Sequence, residues 1–231
     1  MTQCRVMSML AAFFLILPSF FGQSMIWNHS LRAQEAFYAK IINPADLLQV
    51  LKTDNFDMIQ REFNNVKMAA NPGEIMPIVL DLWYNKKEKY LDLRWDIINK
   101  DIVRLLIVDV IIQEKMNGAI EIEETDLHDF VYGLLFAEDR RVKRSAISVI
   151  SHFDRVEDVD EILDLAKKVE KVTFRTSVIV MTGMCNLEAA KAVDELVNFL
   201  PDGDAREYVV DMRQREAEVR KQYDVCSRPK F

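Results

Sequence analysis

The residues that could do chemistry are few and scattered in this chain. The three histidines, His29, His128 and His152, lie far apart, and the three cysteines are Cys4, Cys185 and Cys226. A zinc site needs thiolates and imidazoles at short, paired spacings, and the sequence has no CxxC pair and no Cys/His cluster. It also lacks a G-x-S-x-G elbow, a P-loop and an HExxH run. The expectation is a protein that is not an enzyme, with no catalytic residue, no metal and no cofactor. His128 stands among Glu124, Asp126 and Asp129, so it is expected on a solvated helix face, where acidic neighbours favour the imidazolium. His152, beside Phe153, is expected to cap a helix or sit at the surface.

One charge cluster departs from this quiet background. Arg140, Arg141, Lys143 and Arg144 place four cations within five residues. The pattern puts them at a helix start, where cations oppose the helix dipole. Three explanations stay open: a ladder of Asp–Arg contacts between repeats, a binding site for an anionic partner, or a solvated face. The acidic run Glu121, Glu123, Glu124 and Asp126 is expected to open the preceding helix, where anions are favourable. The whole chain carries a net charge of −7, which argues against general nucleic-acid binding.

The first 24 residues have a different character. Arg5 is their only charge, and residues 7–21 are almost wholly apolar. A positive start followed by a short apolar run is the layout of a secretory signal peptide. Gly22 and Ser24 supply small residues for a cut after 24, and a second site follows Ala33. The rival reading is a retained anchor, because residues 7–27 carry no charge and roughly 20 apolar residues span a bilayer. Either way the protein is expected outside the cytoplasm, periplasmic or secreted, touching a membrane only if the segment is kept. Export would also let Cys185 and Cys226 form one disulfide. The competing reading for Cys185 is a small buried hydrophobe on a helical stripe.

The elements that must position these groups read as helices. Gly and Pro occur six times each in 231 residues, too sparse for a β-rich chain. Asn43-Pro44-Ala45-Asp46 reads as a helix start. Further helices are predicted over residues 56–69, 74–84, 88–98, 101–114 and 121–135, with Asn71-Pro72-Gly73 as a turn. From Asp139 the pattern becomes regular. Val142, Ala146, Val149, Ile150 and Phe153 share one helical face, and Val159, Ile162, Leu163 and Ala166 form the next. Phe174, Val178, Met181 and Cys185 then repeat the first stripe, and Ala189, Ala192, Val193 and Leu196 the second. A last helix is predicted over residues 205–223.

The first helices of the two pairs are self-similar at a period of 32: Val142-Lys143-Arg144-Ser145-Ala146 falls on Phe174-Arg175-Thr176-Ser177-Val178. A two-helix period of this length signals a helical solenoid. With Asp139, Val142-Lys143 and Ala146 on the first helix, the stretch resembles HEAT-like repeats, including those of bilin-lyase-related proteins. The second copy departs at Lys171 and Val178, and Ile102-Val103-Arg104 is a weaker earlier candidate. The resemblance implies an all-α protein of antiparallel helix pairs stacked as a short α-solenoid of about eight to ten helices. The expected divisions are 1–24 (signal), 40–137 (helical region), 138–223 (HEAT-like repeats and a terminal helix) and 224–231 (tail). The expected function is an exported scaffold for an unknown protein partner. Two alternatives are a lyase-like or chaperone-like protein holding a small molecule, and a membrane-tethered adaptor.

Overall fold

The computed structural model describes residues 41–223. The signal or anchor segment, both cut sites, His29, Cys4, Cys226 and the tail lie outside them. The described chain is all-α, with eleven α-helices and no strand.

Three helices open it: α1 (Pro44–Val50), α2 (Phe56–Lys67) and α3 (Pro72–Trp83). Asn43 caps α1 by accepting from the Ala45 N–H at 3.1 Å, with Pro44 in the first turn. Asn55 does the same for α2 through Met58, satisfying N–H groups that a helix start leaves without partners. Pro72 opens α3 rather than standing in a turn that ends α2, since a missing N–H costs nothing at that position. Asn71 exchanges two hydrogen bonds with the Ile42 backbone, 3.0 and 2.9 Å, and so ties the start of α3 to that of α1.

The predicted helix over 88–98 does not form as one piece. A 3-10 turn (Lys87–Lys89) and a one-turn helix α4 (Trp95–Ile98) replace it. The cause is Asp81, buried near the end of α3, which takes ion pairs from Lys86 and Lys89 at 2.8 Å. That carboxylate folds the segment back, and the Trp95 indole N–H then donates to the Tyr90 carbonyl at 3.0 Å.

Helix α5 (Asp101–Met116) is apolar almost all round and lies at the centre, packed on α2, α3 and the later α7. Helix α6 (Thr125–Leu134) starts four residues later than predicted. Only Asp126 of the acidic run therefore lies in its first turn. Glu123 instead accepts from the Thr125 hydroxyl at 2.7 Å, and Glu124 pairs with Lys115 at 2.8 Å.

Five helices complete the chain: α7 (Arg140–Ile150), α8 (Val159–Lys167), α9 (Lys171–Gly183), α10 (Leu187–Phe199) and α11 (Asp204–Tyr223). Their stripes are buried as patterned, with Ala146, Ile150, Ile162, Val178 and Leu196 fully inside. Helix α7 packs on α9, α8 on α10, and α11 covers α9 and α10. Asn186 caps α10 and also donates to Asp154, the residue 32 positions earlier, at 3.1 Å. One apolar core runs from Ile42 to Val209. Among the described residues no helix is long and apolar enough to cross a membrane.

Candidate functional site: a basic surface and two buried histidines

The predicted cations sit where the sequence puts them, on the first turns of α7. Asp139 caps the helix by accepting from the Arg141 N–H at 2.8 Å, and its carboxylate lies 3.5 Å from the Arg141 guanidinium. This Asp–Arg contact closes within one turn. Arg140 and Arg141 are exposed, while Lys143 and Arg144 are half-buried along their stems. Among the described residues no carboxylate lies within 4.0 Å of Arg140 or Lys143.

The electrostatics of these helix starts are unusual for this molecule. Nine of the eleven helices carry an acid in the first turn. Helices α7 and α9 carry none. Each misplaced first-turn cation costs roughly 0.3–1 kcal/mol at low ionic strength. Two helices related by the 32-residue offset thus forgo a stabilisation that the other helices use.

Neither described histidine is on a solvated face. His128 is buried, and its Nε2 lies 2.9 and 3.0 Å from the two carboxylate oxygens of Asp158, which is fully enclosed. Phe153 meets the imidazole edge-on at 5.2 Å between centroids. Its Nδ1 is buried without a hydrogen bond, 3.5 Å from Asp129. His152 is half-buried, and its enclosed Nδ1 lies 3.0 Å from Asp109 without an aligned hydrogen bond. Lys67 pairs with the other Asp109 oxygen, and Gln113 donates to the first at 2.9 Å.

The two aspartates respond in opposite directions. Burial alone would raise Asp109, but Lys67 and His152 hold its carboxyl far below the usual carboxylate range. Burial also raises Asp158, and there the single His128 contact offsets it only in part, so its carboxyl stays high. The arrangement orients two imidazoles, as a carboxylate does in a hydrolase triad. No hydroxyl or thiol among the described residues bonds to either ring. The contacts join α2 to α5 and to the end of α7, and α6 to the turn before α8. The nearby acids in sequence masked the real partners, which lie 30 and 43 residues away.

Cys185 is not on the α9 stripe. It follows the end of that helix, half-buried, and is disulfide-bonded. Its partner lies outside the described residues. Beside it, Arg220 of α11 donates from Nη2 to the Thr182 and Met184 carbonyls at 2.6 and 2.7 Å, capping the end of α9. An open cleft on the outer face of α11, lined by residues such as Arg206, Glu207 and Gln214, has charged and solvated walls. Among the described residues no group of three His, Cys, Asp or Glu side chains is placed to hold a metal ion.

No family model, no curated protein and no solved structure matches this chain.

Proposed function

We propose that this protein is an exported helical-repeat scaffold that binds a protein partner through the basic face of α7. One observation carries the scaffold reading: the stripe of α7 recurs on α9 at an offset of 32 residues, each is followed by a second helix (α8, α10), and the helices pack first on first, second on second. The Asp154–Asn186 bond between equivalent positions supports it. Stacked pairs of this kind build their core from neighbours and leave an outer surface free for recognition. The cations at the start of α7, kept against the helix dipole, are the groups such a surface would use, with Arg140 and Lys143 having no carboxylate within 4.0 Å among the described residues.

The export reading is supported by Cys185, because disulfides persist chiefly in oxidising compartments. Of the two remaining cysteines, Cys226 is the partner we infer. It stands six residues beyond Arg220, which already holds the end of α11 against the residues before Cys185. N-terminal sequencing and thiol counting of the native protein test both parts. A new N-terminus near residue 25 or 34 and no free thiol are expected. An intact Met1 with three free thiols would reject the export reading.

The binding role is tested with a variant in which Arg140, Arg141, Lys143 and Arg144 all become Glu. Its fold is checked by circular dichroism. A partner that co-purifies with the wild type from the extracytoplasmic fraction should be lost from the variant. Equal recovery by both proteins would reject the α7 face.

A further inference from the structure

Resting on that reading, we infer that the binding surface is a ladder spanning two repeats, with Arg175 as its second rung, and that it takes an acidic protein segment in extended conformation. Arg175 occupies the position of Lys143 one period later. The residues around them match in burial: Val142 and Phe174 are both covered, and Ala146 and Val178 are both fully inside. Lys143 and Arg175 therefore leave the same side of α7 and α9, which pack together.

Arg175 is exposed, and among the described residues it has no carboxylate within 4.0 Å. Its guanidinium carbon sits 5.5 Å from the centre of the Tyr208 ring. That contact with α11 holds the head in place without neutralising it.

An exposed apolar residue precedes each of the two helices. Phe136 and Val169 are exposed, at 56% and 44%, in the turns just before α7 and α9. Val169 has φ of +51°, a backbone that a β-branched residue adopts only at a cost.

The partner's chemistry follows from these features. Neighbouring packed helices lie about 8–10 Å apart, and an extended chain in the polyproline II form returns every third side chain to the same face after about 9 Å. Carboxylates at every third position would meet successive rungs, with apolar side chains between them on Phe136 and Val169. A nucleic acid or an anionic bilayer is disfavoured by the net charge of −7, which repels large polyanions.

The test uses the full mature protein and a fluorescein-labelled peptide of three Glu-Ser-Phe triplets, read by anisotropy at low salt. Lys143→Glu and Arg175→Glu are each expected to weaken binding by about fivefold to tenfold. Arg213→Glu, on α11 and paired with Asp194, should leave it unchanged. Weakening by Lys143→Glu alone would overturn the ladder and leave the α7 site standing. No effect of either variant would overturn both. Vesicles containing phosphatidylglycerol are the second arm. Tighter binding to them than to the peptide, lost in the same two variants, would replace the protein partner with a membrane and overturn the inference.

Discussion

The N-terminal helices α1–α6 and the C-terminal helices α7–α11 are built by different means. In the first region charged groups are drawn inward. Asp81 gathers two lysines, and Asp109 gathers Lys67 and reaches His152 at the boundary with the second region. These contacts fix a chain whose segments have unequal lengths and irregular turns. In the second region similar apolar stripes recur about every 30 residues, and most charge stays outside. Irregular packing needs specific polar ties to select one arrangement, whereas a repeated stripe selects its own neighbour. The repeated region is therefore free to carry cations on its surface.

Removing a tie should hurt more than changing a surface cation. Asp109→Asn is the largest expected effect, a loss of about 3–5 kcal/mol at pH 7, because it leaves the half-buried Lys67 ammonium without its counter-charge and removes the carboxylate that faces His152. The depressed Asp109 carboxyl contributes stability that is fully present above its unfolded value of about 3.9 and is lost as pH falls toward its folded value. The deficit measured by urea unfolding should thus be large at pH 7 and narrow at pH 3. An equal deficit at both would refute this electrostatic account.

Arg220→Ala comes next, costing about 1–3 kcal/mol by stripping two carbonyls at the end of α9. Hydrogen exchange should then quicken in residues 182–186 and in α11, with α1–α3 unaffected. Faster exchange everywhere would mean that the two regions do not differ as described. Asp158→Asn should act mainly on pH dependence. A raised carboxyl contributes stability below its unfolded value and loses it as pH rises through its folded value. The variant should therefore gain on the wild type between pH 4 and pH 7, and a constant difference across that range would exclude the raised value.

The smallest effect has the opposite sign. Arg140→Glu places an acid in the first turn of α7 and should stabilise by about 0.3–1 kcal/mol while weakening the partner. A fall in thermal midpoint would show that Arg140 has a structural partner after all.

Much of the fold was legible. Asn43 with Pro44 announced the start of α1, and the stripes from Val142 to Leu196 were buried as their spacing required except at Phe153 and Cys185, which are half-buried. Residues 88–98 misled because their amphipathic spacing is local, while the competing pull comes from Asp81 on another element. The two histidines misled for the same reason, since Asp158 and Asp109 are distant along the chain. A signal did exist for His152. It lies three residues after Val149, within reach of the buried face. The α7 cations were visible as a cluster, but Arg175 stands alone in its stretch and only the 32-residue offset points to it.

Packing among near neighbours has one more consequence. Each helix makes its main contacts with helices no more than three places away along the chain. Such a topology has low contact order, and its folding does not wait for distant segments to meet. A chain delivered N-terminus first could close α1 to α5 while α9 to α11 were still emerging. Only the last step, seating Arg220 on the end of α9, needs the finished molecule. A narrow pore that releases the polypeptide residue by residue would impose little penalty on this order of assembly.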